Sequence, residues 1–354
     1  MTHRTKRIGI AAASVAIAAT AVVPMAITFF SAGQIFGRSV ADKDTVDMRY
    51  ADYDATTYPR TTVTFPCGGV TLTGYRFDAA APKGLVILAH GLNSSADTLL
   101  PLATYFYDHG WSVLSFDGTG VAASEGGSIR GLGQRRVDLR AAIDWVRTQD
   151  DLAGLPLVLV GHSMGGYAVN AVLADEQGAD VRGVVSFAAL NSPIETTDAA
   201  YASSLGPLAA LFVPSVRIYN YVTFGADAAT TAVDGINATD APVMVVYGTG
   251  DEYVPPTQTG ILGHADEITN PQVEFVEVGE AYRNTHSTLW YSTDSAQYAL
   301  ETWARRDELR QEYGTPLPAN VYDELLATVD KSRMGRVDEQ LMARVEQFLQ
   351  DAVS

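Results

Sequence analysis

Residues 157–166 read Leu-Val-Leu-Val-Gly-His-Ser-Met-Gly-Gly, an apolar strand that runs directly into a Gly-x-Ser-x-Gly turn and then into a helix-forming stretch. A serine at the apex of such a turn has strained backbone dihedrals, and Gly161 and Gly165 let the backbone close around it. Ser163 is therefore predicted to project its hydroxyl into a cleft as a nucleophile. The backbone N–H of Met164, at the start of the helix, would point at a developing oxyanion.

Short apolar runs recur along the chain and predict the sheet to which this strand belongs. They cover residues 84–89, 112–116, 157–160, 181–187, 243–247 and 273–278, and helical stretches at 99–109, 132–147, 165–175 and 337–349 lie between or after them. Segments 61–65 and 70–77 flank Cys67-Gly68-Gly69 and predict an antiparallel hairpin at a sheet edge. This order predicts an α/β fold with a doubly wound, mostly parallel sheet.

Two segments interrupt the alternation and are predicted to be insertions. Residues 191–240 are far longer than a usual connection and contain many Leu, Phe and Tyr residues, so we expect a small folded cap over the sheet's edge. Residues 289–331 are helical in composition without evident chemistry, and we interpret them as solvated packing helices. The folded domain is predicted to span residues 61–354, with the polar stretch 39–60 as a spacer before it.

The first 38 residues contain a candidate membrane segment. Basic residues at positions 4, 6 and 7 precede an uncharged apolar run of 23 residues, 8–30, which is long enough to cross a bilayer as a helix. Positive charge before the run favours a cytoplasmic N-terminus and an exported domain. A single-pass signal-anchor in the cell membrane is the favoured interpretation. A signal peptide cleaved after Gly33, giving a secreted protein, and a buried core helix are the alternatives.

Composition limits the partners of the folded domain. The formal net charge is −17, and because residues 1–38 hold four Lys and Arg but no acidic residue, the rest of the chain has 20 basic and 41 acidic residues. An acidic surface repels phosphate backbones, so nucleic acid is not an expected partner, although solubility explains the charge equally well. Cys67 is the one cysteine, which excludes an intrachain disulfide, and we interpret it as structural.

A serine nucleophile needs a base, and an acid that holds that base in the right tautomer. His286 lies in Asn-Thr-His-Ser-Thr after the last predicted strand, where catalytic groups collect in parallel sheets, and it is the favoured base, with His264 as the alternative. Asp251, just past the preceding strand, is the favoured acid, with Glu252 as the alternative. His162 is expected to point away from the serine hydroxyl.

A second oxyanion donor is expected where an earlier strand ends beside the nucleophile. The turn His90-Gly91 ends such a strand, and the backbone N–H of Leu92 would lie opposite that of Met164. The glycine-rich stretch 117–127 lacks the spacing of a phosphate-binding loop, and we interpret it as a turn in the pocket wall. Acyl transfer by this set of groups requires neither a metal nor an organic cofactor.

Taken in order, these motifs resemble the α/β-hydrolase superfamily, and within it the serine aminopeptidase and monoacylglycerol-lipase-like branch. The resemblance rests on His90-Gly91, Asp117-Gly-Thr-Gly120, Gly161-His-Ser-Met-Gly165, Asp251 and His286. It covers roughly residues 60–350. It implies an oxyanion hole formed by Leu92 and Met164, and a cap at 191–240. Residues 289–331 are longer than the usual tail of similar proteins, and the cap is smaller than in peptidase members.

The motifs therefore predict a serine hydrolase that cleaves a carboxylic ester through an acyl-serine intermediate. Ser163 would be the nucleophile, His286 the base and Asp251 the acid that orients it. The apolar cap favours a lipid, acyl or aromatic ester. An aminopeptidase-like serine peptidase and a non-catalytic surface binding protein on a hydrolase scaffold are the alternatives. The expected partners are a small-molecule ester and, through the N-terminal segment, a membrane.

Overall fold

The predicted sheet forms the centre of the molecule. A computed structural model describes residues 20, 22–40 and 43–354, and its eight strands are β1 (Thr61–Cys67), β2 (Val70–Phe77), β3 (Leu85–Ala89), β4 (Ser112–Phe116), β5 (Leu157–His162), β6 (Val181–Phe187), β7 (Val243–Gly248) and β8 (Val273–Val278). Their order in the sheet is β1-β2-β4-β3-β5-β6-β7-β8. The pairs from β4 to β8 are parallel, whereas β1 and β2 pair antiparallel at one edge. The mostly parallel sheet is confirmed.

The hairpin at the sheet edge has the tightest loop that connects two strands. Cys67 pairs with Val70, so the loop consists of Gly68 and Gly69. Both glycines have a positive φ, 53° and 90°, which is the requirement of a type I′ turn whose twist matches that of the flanking strands. The predicted hairpin is confirmed, and its two glycines are the reason for its register.

Helices cover both faces of the sheet and form the insertions. In the described part of the chain they are α1 (Val22–Ile35), α2 (Leu100–Asp108), α3 (Gln134–Arg147), α4 (Met164–Ala171), α5 (Pro193–Leu205), α6 (Val213–Phe224), α7 (Ala232–Asn237), α8 (Thr293–Tyr313), α9 (Ala319–Thr328) and α10 (Glu339–Val353). Helices α2, α3, α4 and α10 lie where the sequence pattern predicts helices. The interval 191–240 folds into α5, α6 and α7, and the interval 289–331 contains α8 and α9.

The side chains of β3 show how the sheet is buried on both faces. Leu85 and Ile87 belong to a core shared with α3 and α4, whereas Val86 and Leu88 belong to a second core shared with α2 and α10. All four side chains are buried, which explains the uninterrupted apolar sequence of this strand. Burial of one such aliphatic side chain contributes about 1.5–3 kcal/mol to folding.

The predicted membrane run, residues 8–30, falls only partly within the described chain. Residues 8–19 and 21 lie outside it, and α1 covers the end of the run. Across the described ranges, no single helix is both long and apolar enough to span a bilayer, while the bent pair Pro193–Leu211 and Val213–Asn237, at 101° to each other, has the necessary length and composition. The N-terminal membrane segment therefore stays a prediction.

Residues 43–60, within the predicted spacer, lie against the C-terminal helices. Val46 is buried in a small cluster with Leu309 of α8, Leu325 of α9 and Leu317, which lies just before α9. The ring of Tyr50 packs against the core that α2, α8 and α10 share with the sheet. This segment is therefore a packed layer that joins the N-terminal region to the insertion 289–331.

Candidate active site

Ser163 lies in the turn between β5 and α4, and the structure shows why that turn needs its glycines. Its φ is 56° and its ψ is −119°, a strained combination for a residue with a side chain. A Cβ on Gly161 would lie 2.3 Å from Gly165 O, and a Cβ on Gly165 would lie 1.9 Å from Ala89 O. The Ser163 N–H donates to Phe187 O at 2.9 Å, which ties the strained residue to the end of β6.

The three polar side chains predicted to act together are in hydrogen-bond contact. Ser163 Oγ lies 2.9 Å from His286 Nε2, and His286 Nδ1 lies 2.8 Å from Asp251 Oδ2. Because a carboxylate only accepts, Nδ1 carries the imidazole proton and Nε2 is left to accept the serine hydroxyl proton. The three residues follow β5, β8 and β7 respectively, so the carboxyl edge of the parallel sheet brings them together.

The carboxylate of Asp251 is buried and engaged on both oxygens. Oδ1 accepts from the N–H groups of Tyr253 and Val254, each at 2.9 Å, while Oδ2 faces His286. These bonds hold the carboxylate in one orientation and stabilise its charge away from water. Glu252, the alternative acid, has an exposed side chain.

The alternative base, His264, lies away from Ser163 in the turn Ile261–Glu267. Its Nδ1 is 2.8 Å from Glu267 and its Nε2 is 3.1 Å from Glu195 at the start of α5. Burial opposes protonation of this imidazole, but the hydrogen bonds and charges of the two glutamates prevail and raise its pKa above the usual value. His264 therefore fastens the cap to the body of the domain.

His162 supports the loop that carries His286. Its Nε2 donates to the backbone carbonyl of His286 at 2.8 Å, and its ring packs against that of Trp290 with 5.1 Å between centroids. Burial lowers the pKa of His162 to about 3, and the nearby charge of His286 adds to this, so the imidazole is neutral. The sequence prediction did not assign this role. The one signal for it is a polar side chain at the end of an otherwise apolar strand.

The turn after β3 has a buried histidine as its brace. Nδ1 of His90 donates to Gly91 O at 2.8 Å, and its Nε2 accepts from the Gly118 N–H at 3.2 Å. Burial holds the pKa of His90 well below its usual range, and the charge of Arg135 acts in the same direction. The neutral ring therefore links the ends of β3 and β4.

The two expected oxyanion donors, Leu92 and Met164, belong to segments close to Ser163. A Cβ on Gly91 would be 3.1 Å from Ser163 Cβ, and the next residue, Leu92, lines the same cleft as Ser163. Met164 is the first residue of α4, so its N–H belongs to the first turn, whose N–H groups have no partner within the helix. Leu92 and Met164 thus both belong to segments that meet at Ser163, and their role as oxyanion donors stays a prediction.

Ser163 opens into a cleft of about 810 Å³. One wall is formed by residues of the described stretches 39–40 and 43–49, and another by Trp303 and Arg306 of α8 together with Met334. Val121 and Ala122 of the glycine-rich stretch 117–127 also line the cleft, as the sequence predicts for that turn. Among the described residues, none that lines the cleft lies in 191–240. The insertion 289–331, interpreted from the sequence as packing helices, therefore supplies a wall that the cap does not.

We call residues 38–40 and 43–49 the strap, because this segment crosses the cleft and is fastened on both sides. Arg38 donates to the carbonyls of the loop 122–126 at 2.7–2.9 Å. On the opposite side, Trp303 Nε1 donates to Asp47 Oδ1 at 2.6 Å. Lys331 Nζ donates to the carbonyls of residues 46 and 47 at 3.1 and 2.5 Å. The strap is therefore a fixed part of the cleft.

The part of the chain that the structure describes holds neither a metal-binding cluster nor a reactive thiol. Within the described ranges, no cluster of three or more His, Cys, Asp or Glu residues is arranged to hold a metal ion. The thiol of Cys67 is buried, and burial together with the charge of Asp138 raises its pKa to about 12. A thiol with so high a pKa is not a nucleophile near neutral pH.

The chain is similar to one family model and to several known proteins. The family model described as serine aminopeptidase, S33, matches residues 80–227. A monoacylglycerol lipase of Mycolicibacterium smegmatis is 31% identical over 177 residues, which are 47% of this chain and 58% of that protein. A polyketide transferase of a Penicillium species is 31% identical over 124 residues, which are 34% of this chain and 42% of that protein. The chain spans about half the length of the curated relatives it matches.

Solved structures share the fold. An esterase of Pyrococcus furiosus aligns with a TM-score of 0.52 at 19% identity, covering 77% of this chain and 99% of that chain. Est1E of Butyrivibrio proteoclasticus, solved with ferulic acid, aligns with a TM-score of 0.51 at 16% identity, covering 70% and 99%. The chain has the α/β-hydrolase fold. The predicted resemblance to the serine aminopeptidase and monoacylglycerol-lipase-like branch of that superfamily is confirmed.

Proposed function

We propose that this protein is a serine hydrolase that cleaves a carboxylic ester of a small molecule. The observation that carries the proposal is the chain of contacts from Ser163 Oγ to His286, at 2.9 Å, and from His286 to Asp251, at 2.8 Å. In this mechanism His286 accepts the hydroxyl proton while Ser163 attacks the ester carbonyl, and the imidazolium then protonates the leaving alcohol. Water, activated by the same imidazole, attacks the acyl-serine and releases the carboxylic acid.

The negative charge of each tetrahedral intermediate needs donors that are already in place. The backbone N–H groups of Leu92 and Met164 are proposed to bind the oxyanion, and one such donor lowers the barrier by about 3 kcal/mol. The contact of Gly91 with Ser163, the place of Leu92 in the cleft and the place of Met164 at the start of α4 support this role. Asp251 orients His286 and stabilises the imidazolium without taking its proton.

The chemistry of the cleft favours an ester over the free amino terminus of a peptide. An aminopeptidase needs an acidic group for the substrate's ammonium, but the two carboxylates that line the cleft already have partners. Asp47 accepts from Trp303 at 2.6 Å, and Asp97 pairs with Arg60 at 2.6 Å. The cleft volume of about 810 Å³ is within the range of small-molecule sites.

The side chains along the cleft indicate the kind of ester. Apolar groups, among them Leu92, Met48 and Trp290, would contact an acyl or aromatic part, while Asn93 and Ser94 offer polar contacts to the alcohol part. The printed names of one relative, a monoacylglycerol lipase, and of one protein that shares the fold, an esterase, agree with this choice. We further propose that the domain is exported and held at the cell membrane by its N-terminal segment, with secretion after cleavage as the alternative.

A fluorophosphonate probe, followed by a panel of p-nitrophenyl acyl esters and aminoacyl amides, tests the proposal. We expect the wild type to be labelled and to hydrolyse esters, and we expect Ser163→Ala to be unlabelled with an unchanged melting temperature. Turnover of aminoacyl amides in place of esters would favour the peptidase. A folded wild type that neither labels nor turns over would favour the binding protein.

A further inference from the structure

The exposed apolar side chains of this protein are gathered in one region. In the described part of the chain, every exposed large aliphatic or phenylalanine side chain lies in α1, at Val40, or between residues 205 and 222 of the cap, whereas the other exposed large hydrophobic residues are tyrosines. Phe30 of α1 and Val222 of α6 are each 70% exposed, and Leu208 is 62% exposed. Apart from Val40, these side chains are not among the residues that line the cleft, so substrate contact does not explain them.

Helix α1 and the cap form one surface because α1 packs on α5 and α6. Thr28 Oγ1 lies 2.9 Å from Ser215 Oγ, and Ser31 Oγ lies 2.8 Å from the hydroxyl of Tyr201. The buried positions of α1 include Thr28 and Ala32, while its large apolar side chains face outward. This distribution is the reverse of a helix at a water-facing surface, which buries its apolar side and exposes its polar side.

Charge is nearly absent from this surface. Helix α1 contains no charged residue, and Arg217 is the one charged residue between 201 and 224, in a chain whose net charge is −17. A large uncharged apolar surface is unfavourable in water and marks contact with a membrane or with another protein.

The sequence that precedes α1 favours a membrane over another protein as the partner of this surface. Residues 8–19, outside the described chain, are uncharged and mostly apolar, and basic residues at 4, 6 and 7 precede them. Such a segment has the composition of one that enters a bilayer, and it continues directly into the exposed side of α1. We propose that α1 and residues 205–222, here called the docking face, are immersed in the surface layer of a lipid bilayer. The docking face rests on the proposed membrane segment but not on the proposed ester hydrolysis.

Docking would also bring the cleft to the membrane. Val40, which is 66% exposed, follows α1 directly in the strap and lines the cleft. Arg38, two residues earlier, is held by the loop 122–126, so the distance between docking face and cleft is fixed. If the proposed function holds, an ester dissolved in the bilayer would reach Ser163 more readily than its concentration in water allows.

The full-length chain in phosphatidylcholine vesicles provides the test. Single cysteines replace Leu208 or Val222 in a Cys67→Ser background, and a matched control replaces Tyr313, an exposed tyrosine at the end of α8. Each is labelled with an environment-sensitive fluorophore and quenched by lipids that carry a spin label on the acyl chain. We expect strong quenching at 208 and 222, at least threefold above that at 313. Water-like emission at 208 and 222 would overturn the proposal, as would disulfide crosslinking at these positions between two copies.

A kinetic measurement tests the delivery of substrate separately. Leu208→Asp with Val222→Asp is expected to hydrolyse a short soluble ester like the wild type, but an ester dispersed in vesicles at least tenfold more slowly; Tyr313→Asp is the control. An equal loss of hydrolysis rate on both substrates, or no loss on either, would overturn the delivery of substrate from the bilayer. Absence of any ester turnover in the wild type would contradict the proposed function, and the quenching result would still decide the docking face.

Discussion

The Ser163 turn and the cap are built in opposite ways. Around Ser163, glycines leave no space for another atom, and both oxygens of the buried Asp251 carboxylate have hydrogen-bond partners. In the cap and α1, hydroxyl groups are turned inward and large apolar side chains face outward. The difference teaches that the ends of the strands determine the geometry of the candidate active site. The peripheral segments determine where the domain lies and which substrates reach the cleft.

The largest effect is expected when the orientation of His286 is lost. Asp251→Asn replaces an acceptor with a group that also donates, which favours the wrong tautomer of the imidazole, and kcat should fall by about 10⁴-fold with little change in fold. Ester turnover and circular dichroism measure the two quantities. Glu252→Gln, an exposed neighbour, is the control and should retain wild-type kcat. A loss below about tenfold in Asp251→Asn would contradict the role of Asp251.

The steric account of the turn predicts a large loss of stability from one methyl group. In Gly165→Ala the new Cβ would lie 1.9 Å from Ala89 O, so the backbone of β3 or α4 must move. We expect the free energy of unfolding to fall by about 3 kcal/mol and ester turnover to be lost. Gly154→Ala, where a Cβ would meet nothing within 4 Å, is the matched control. Equal stability of the two variants would show that the turn tolerates a side chain.

A smaller effect is expected where the strap is fastened. Lys331→Met keeps the aliphatic stem but removes the donor for the carbonyls of residues 46 and 47. We expect the free energy of unfolding to fall by about 1–3 kcal/mol, and KM for the ester to rise while kcat stays within a few-fold of wild type. Arg305→Met, which breaks an exposed pair with Glu308, should change neither quantity. An unchanged KM in Lys331→Met would mean that the strap does not bind substrate.

The smallest effect concerns His162, which supports the loop that carries His286. The folded-state pKa of His162 is lowered to about 3, so the unfolded chain binds this proton more readily, and stability falls as the pH drops below about 6.5. His162→Gln keeps a donor for the His286 carbonyl and removes the titration, so its stability should fall less steeply between pH 6 and pH 4. Urea unfolding across that range measures the slope. Equal slopes in both proteins would contradict a neutral buried His162.

Much of the fold was predictable because its signals are local. The apolar sequence of β3 follows from burial on both faces, and the pair Gly68-Gly69 indicates the hairpin. Ser163, Asp251 and His286 each lie in the segment that follows a strand, so their proximity could be anticipated from the order of the strands. Because the carboxyl ends of neighbouring parallel strands lie side by side, residues that follow these strands in the sequence lie close together in the structure.

The rest depends on contacts that no local pattern reports. Asp47 and Trp303, which join the strap to α8, are 256 residues apart in the chain. The apolar residues of 191–240 indicate a folded cap, but composition does not distinguish side chains that face the cleft from those that face outward. The contacts of Thr28 and Ser31 with the cap show that the hydroxyl groups face inward and the large apolar side chains face outward.

Trapping the acyl intermediate is the most direct test of the proposed mechanism. The wild type is mixed with a slowly deacylating p-nitrophenyl ester, quenched in acid during the burst and examined by intact-mass and peptide mass spectrometry. We predict one acyl group per chain, on the peptide that contains Ser163, and none in Ser163→Ala. An acyl group on another residue, or ester turnover by Ser163→Ala at the wild-type rate, would contradict Ser163 as the nucleophile.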